Sequence, residues 1–140
     1  MSENSLKVAF ASSDERQIDE HFGSCTKLTI YELLPHSYEH IKTVNFAAIK
    51  GHNQQKISHR LIALQTCFAV YCLACGNPVR QQLLAQGIRV IITPEQALIS
   101  TLISKIQKNW PGKVAERQQS LIKKQQDKTY FEAITESEWE

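Results

Sequence analysis

Val8–Glu32, VAFASSDERQIDEHFGSCTKLTIYE, is the stretch from which the fold is read. Lys7–Ser12 alternates and runs into Ser12-Ser13-Asp14, the pattern of a strand ending in a turn. Lys27–Leu34, KLTIYELL, is a second strand, closed by Pro35. Between the two lies a polar loop containing Asp19-Glu20-His21-Phe22-Gly23. A histidine between two carboxylates and an aromatic–glycine pair is more than a connector needs, so this loop is the first candidate for a site.

Outward from this segment, Tyr38–Phe46 is a third strand. The short Pro35-His36-Ser37 turn makes strands two and three an antiparallel hairpin. The apolar period then changes. Asn53–Thr66 places Ile57, Leu61 and Leu64 on one helical face. Phe68–Cys72, FAVYC, is a nearly continuous apolar run, as expected of a strand covered on both faces. Asn77-Pro78 supplies a cap and a first-turn proline for a second helix, and Gly87 ends it as a left-handed cap. Ile88–Ile92 is a fifth strand. Thr93-Pro94-Glu95-Gln96 reads as a capping box with proline at the first helical position. Leu98, Ile99, Leu102, Ile103 and Ile106 form the buried stripe of the helix that follows. Asn109-Trp110-Pro111-Gly112 is a breaker cluster, and Lys113–Gln126 reads as a polar, weakly packed helix.

The order is therefore βββαβαβα. Right-handed crossovers place strands four and five parallel, the hairpin makes the sheet mixed, and helices cover both faces of a three-layer α/β domain. The first strand is expected beside the fourth and parallel to it. Loops 12–26 and 72–77 then share the carboxyl edge, where open α/β sheets bind ligands.

Composition sets bounds. The 140 residues, 42% of them hydrophobic, suit one globular domain, read as 1–108, with a polar helical and acidic tail over 109–140. No apolar run approaches the roughly 20 residues of a membrane helix, and the polar opening MSENSLKV predicts no secretory signal, so a cytoplasmic protein without a membrane is expected. The net charge of +2 calls for no nucleic acid. Residues 109–140 hold five basic against six acidic residues, and the last ten carry four Glu and no base, an end suited to a protein partner. A monomer is expected.

At the predicted edge, a neutral His21 imidazole would bind iron or another transition metal, with Asp19 or Glu20 fixing its second nitrogen. The alternative is a loop histidine capping a turn, with Phe22 as anchor. Gly23 would let the backbone approach a bulky ligand or take a positive φ. Cys25, four residues after His21, is either a second ligand or a small residue at a strand entry. Cys72-Leu73-Ala74-Cys75 is a lone CxxC, with no second pair to make zinc. Cys72 reads as the end of a buried strand. Cys75, just before a helix start that favours anions and lowers thiol pKa, is a ligand or a plain loop residue. Arg16, Lys27 and Arg80 flank these loops and would neutralise an anion. The Cys72/Cys75 pair also raises a thiol–disulfide protein as an alternative. GxGxxG, P-loop and GxSxG motifs are absent, and the apolar first strand lacks the acidic residues of a magnesium nuclease.

The motifs Val8-Ala9-Phe10-Ala11-Ser12-Ser13-Asp14, Asp19-Glu20-His21-Phe22-Gly23, Ile30-Tyr31-Glu32, Ala69-Val70-Tyr71-Cys72 and Leu83–Ile88 resemble those of the dinitrogenase iron–molybdenum cofactor proteins. These are the nitrogenase cofactor-biosynthesis carriers of the NifX/NifY type. The resemblance spans about residues 6–108. The ending Tyr130-Phe131 through Glu138-Trp139-Glu140 is similar to NifX-type tails. It implies an RNase H-like three-layer fold and no catalysis. It implies a carrier that binds the iron–molybdenum cofactor or an iron–sulfur precursor cluster and hands it between scaffold and donor proteins of cofactor assembly. It also implies that His21, in the His-Phe-Gly motif, takes part in binding. A bare docking module of the same machinery is a further alternative. A carrier must release its cargo, so few exchangeable ligands suit it better than four locking cysteines.

Overall fold

A computed structural model describes residues 5–46, 54–94, 96–119 and 121–122, with the side chains of 54–58 left aside. The tail beyond residue 122, and with it the acidic-aromatic ending, lies outside the described residues. The principal elements are β1 (Leu6–Ala11), β2 (Gln17–Ile18), β3 (Lys27–Leu33), β4 (Tyr38–Asn45), α1 (Gln54–Ala63), β5 (Ala69–Cys72), α2 (Asn77–Ala85), β6 (Arg89–Ile92), β7 (Ala97–Leu98) and α3 (Ile99–Lys108).

Five strands form one mixed sheet in the order β4-β3-β1-β5-β6. β1 lies antiparallel to β3 and parallel to β5, and β5 lies parallel to β6. This is the expected architecture, with the first strand at the centre. Alternation along β1 explains its position. Ala9 and Ala11 join a core on the α1/α2 side with Leu64, Val70 and Leu83. Leu6, Val8 and Phe10 join a second core on the α3 side with Ile99, Ile103 and Ile106. A strand apolar on both faces is stable only between two helical layers.

Local signals account for much of the framework. The hairpin turn closes with Leu34 N–H donating to the Ser37 carbonyl at 2.8 Å. The Gln107 amide at the end of α3 donates to the Leu34 and Ser37 carbonyls, tying the turn to the helix. Gly87 has φ 79°, and Gly87 and Ile88 N–H donate back to the Leu84 and Leu83 carbonyls. That pattern is a Schellman cap, and it requires the left-handed conformation glycine adopts without strain.

Three boundaries differ from expectation. The Thr93–Gln96 capping box does not form. Ala97–Leu98 pairs antiparallel with Gln17–Ile18, Gln96 N–H donates to the Ile18 carbonyl and Ile99 N–H to the Arg16 carbonyl. This ladder holds the chain extended until Ile99, so α3 starts there, Pro94 stays outside it, and Leu98 is 47% exposed instead of joining the stripe. The Thr93 hydroxyl meant to cap is buried without a hydrogen-bond partner among the described residues. In α2 the cap is the extended Gly76, one residue earlier than Asn77, and no side chain caps the helix. At the breaker cluster the helix stops at Lys108, but it resumes over 110–119 with Pro111 in its first turn, where a missing N–H costs nothing. Trp110 is buried there in the α3-side core, with Val114 packed against it.

Candidate functional site

Loops 12–26 and 73–76 meet at the carboxyl edge of the sheet. Their backbones are joined on both sides of His21: Leu73 N–H donates to the Glu20 carbonyl and Phe22 N–H to the Ala74 carbonyl, each at 2.9 Å. The convergence expected from topology is therefore direct contact. Phe22–Ser24 forms one 3-10 turn, closed by Cys25 N–H donating to the Phe22 carbonyl. Phe22 is fully buried in the α1/α2-side core and anchors this turn.

The loop is stapled by its own carboxylates. Asp14 accepts the backbone N–H groups of Arg16 and Gln17 at 2.9 and 3.1 Å and the Ser12 hydroxyl at 3.0 Å. The two backbone donors hold its pKa below the usual carboxylate value. Asp19 accepts the Ser13 N–H at 2.8 Å and the Ser13 hydroxyl. Glu20 reaches across the loop to accept the Thr26 N–H at 3.0 Å, the Thr26 hydroxyl at 2.9 Å and, more weakly, the Lys27 N–H at 3.4 Å. Each acidic residue neutralises donors that a tight loop leaves unpaired.

These staples correct the expectation that Asp19 or Glu20 orients His21. Both carboxylates are committed to the loop. His21 stands exposed at the extended cap of the 3-10 turn, and its ring has no hydrogen-bond partner among the described residues. An exposed imidazole without a hydrogen-bond partner among the described residues suits an external ligand.

The other candidates separate. Gly23 is exposed, and a Cβ built there meets nothing within 4 Å. Its φ is not positive, so open space, and not backbone strain, is what it offers. Cys25 turns inward and is fully buried. Its Sγ accepts the Arg60 Nε–H at 3.3 Å, its carbonyl accepts the Arg60 Nη2–H, and burial pushes its pKa up to about 11. The structure thus removes Cys25 from the exposed donors. Arg16 lies on the α3 side, in a cleft of about 270 Å³ whose walls include Tyr31, Tyr38 and Ser100 but neither His21 nor Cys75. The β2–β7 ladder fixes its backbone there, its carbonyl accepting the Ile99 N–H.

Cys75 remains at the edge, half-buried and directly after Ala74, the acceptor of Phe22. Partial burial raises its pKa while Arg80 opposes the rise, so the helix start does not produce the lowered value expected. Cys72 is fully buried, and burial pushes it up to about 12. A thiol–disulfide centre needs an accessible, acidic thiol, and this pair has neither property in full. Among the described residues no three of His, Cys, Asp or Glu gather closely enough to hold a metal ion.

Arg60 was not expected as part of this region. It is 1% exposed, and its guanidinium also lies 4.4 Å from the centre of the Phe46 ring. A signal was present: Arg60 sits three residues after Ile57 and four before Leu64, on the apolar stripe of its helix.

Sheet order, joined loops and an exposed histidine define an α/β domain that presents a pinned loop at the carboxyl edge of its sheet. The sequence profile described as "Dinitrogenase iron-molybdenum cofactor" matches residues 4–109, and the chain belongs to that family. It is 37% identical to Protein NifX of Klebsiella pneumoniae over 136 residues, 96% of this chain and 85% of that protein. It is 40% identical to Protein NifX of Azotobacter vinelandii over 103 residues, 73% of this chain and 65% of that protein. The crystal structure of a dinitrogenase-like protein of Methanocaldococcus jannaschii superposes with a TM-score of 0.56 at 13% identity, covering 75% of this chain and 90% of that one, a likeness of fold. No described helix is long and apolar enough to cross a membrane.

Proposed function

We propose that this protein is a non-catalytic carrier of the iron–molybdenum cofactor, or of its iron–sulfur precursor, during cofactor assembly. Family membership supports the cargo class, and the His21 loop is the observation that carries the site. One exposed imidazole on a stapled turn offers a single exchangeable ligand, which suits hand-over between assembly proteins. Cys75 is the candidate second donor. It must lose its proton to bind metal; partial burial opposes that loss, and Arg80 nearby offsets part of the opposition. Gly23 leaves room for a bulky cargo beside the histidine.

The test is anaerobic mixing with isolated iron–molybdenum cofactor, followed by gel filtration and metal analysis. Co-elution of iron and molybdenum with the protein is expected, together with at least a tenfold weaker association for His21→Ala. Because the ring is exposed and unpartnered, His21→Ala should shift unfolding free energy by no more than about 0.5 kcal/mol. Wild-type protein that elutes free of metal would exclude the carrier. Equal binding by His21→Ala would exclude His21 and leave the carrier standing.

A further inference from the structure

Arg60 reaches the site loop from beneath. It belongs to α1, 35 residues from Cys25 in sequence, yet it donates to both the thiol and the carbonyl of that residue. Phe46, whose ring flanks the guanidinium, is itself tied to the loop by its N–H donating to the Thr26 carbonyl at 2.7 Å. The Thr26 N–H is held in turn by the Glu20 carboxylate. The end of the 3-10 turn is therefore gripped on two sides, by Glu20 across the loop and by Arg60 below it. A guanidinium is suited to this because its planar fork reaches two acceptors in a fixed geometry while its face rests on an aromatic ring. A lysine would supply the charge and donors at a single nitrogen, without the planar fork or the flat face that rests on the ring.

We propose that Arg60 is the positioning residue of the cargo site: by clamping Cys25 it fixes the Phe22–Ser24 turn and so the direction in which His21 is presented. The inference rests on the carrier reading, and it gives Cys25 a part in that site as the handle of the clamp, not as a ligand. The arginine does not touch the cargo. Its effect passes through the Cys25 carbonyl to a turn only three residues long.

The experiment compares full-length wild type, Arg60→Met, Arg60→Lys and Gly87→Ala. Backbone amide exchange is read at Phe22, Cys25 and Thr26, with β1 and β5 amides as internal reference. Affinity for isolated iron–molybdenum cofactor is read without oxygen. Arg60→Met should speed exchange in the turn at least tenfold relative to the reference strands and weaken the cofactor at least tenfold. Arg60→Lys should restore neither quantity fully. Gly87→Ala lowers stability at a distant helix end and should leave both at wild-type values. Wild-type exchange in Arg60→Met would overturn the clamp, as would complete rescue by lysine, which would make the planar fork dispensable. A loosened turn with unchanged affinity, or equal weakening by Gly87→Ala, would reduce Arg60 to a stability role and overturn the proposal. If Arg60→Met does not fold, Arg60→Lys decides the exchange comparison. Wild-type protein that binds no cofactor overturns the carrier reading and with it the cargo role of the clamp, while the exchange arm still judges the clamp itself.

Discussion

Replacing Phe22 with alanine tests the idea that the site loop is anchored by a core residue within it. Phe22 has no exposed surface and belongs to the cluster formed with Leu28, Val70 and Leu83. Truncating a buried phenylalanine costs about 3–5 kcal/mol, the spread reflecting how far the site collapses into the space left. Here collapse is restricted. The backbone at Phe22 is held by the Ala74 carbonyl, Glu20 two residues earlier by the Leu73 N–H, and the following turn by Glu20 and Arg60. The cavity should persist, which puts the expected loss at about 3–4 kcal/mol out of the roughly 5–15 kcal/mol typical of a domain. Phe22→Leu keeps most of the volume and should cost only about 1 kcal/mol. Urea unfolding at 25 °C measures both, with unchanged slopes showing that the loss is in stability and not in the extent of unfolding. A Tm lowered by roughly 10 °C in Phe22→Ala is the thermal counterpart. A loss below about 1 kcal/mol, or equal losses for alanine and leucine, would refute the anchoring argument.

Glu20→Ala removes the acceptor of the Thr26 N–H and hydroxyl, and a loss of about 1–2 kcal/mol is expected, with faster exchange at the Thr26 and Lys27 amides; unchanged exchange there would dismiss the staple. Burial raises the Cys67 pKa from 9.0 to about 11, so its contribution to stability is complete below pH 9 and is lost as pH rises through about 11, because the unfolded chain releases the proton first. Cys67→Ala should therefore flatten the alkaline decline of unfolding free energy by up to about 1.4 kcal/mol per pH unit in that window, and parallel curves for variant and wild type would count against it. Gly87→Ala forces a Cβ into the left-handed region at φ 79° and should cost about 1 kcal/mol; a neutral effect would mean that the Schellman cap relaxes without penalty.

Features carried by neighbouring residues are legible in the sequence. The Pro35-His36-Ser37 hairpin, the two-faced apolar β1 and β5, and the glycine end of α2 all appear where the pattern puts them. The Thr93–Gln96 capping box failed for a physical reason: a two-residue ladder to Gln17–Ile18 competes for the same backbone groups, and that partner lies about 80 residues away. The same ladder turns Leu98 outward, away from the buried stripe the helical period assigns it.

The sequence by itself determined the order of elements, the mixed sheet with helices on both faces, and a loop centred on His21 at the carboxyl edge, because strand and helix periods and turn chemistry are properties of a few adjacent residues. Tertiary structure alone decided how that loop is held. Glu20 became a staple and not a partner of His21, and Cys25 faced the core, where Arg60, 35 residues on, donates to it. Which acceptor a carboxylate or guanidinium takes is set by whichever donors packing brings within about 3 Å. No local pattern records that distance.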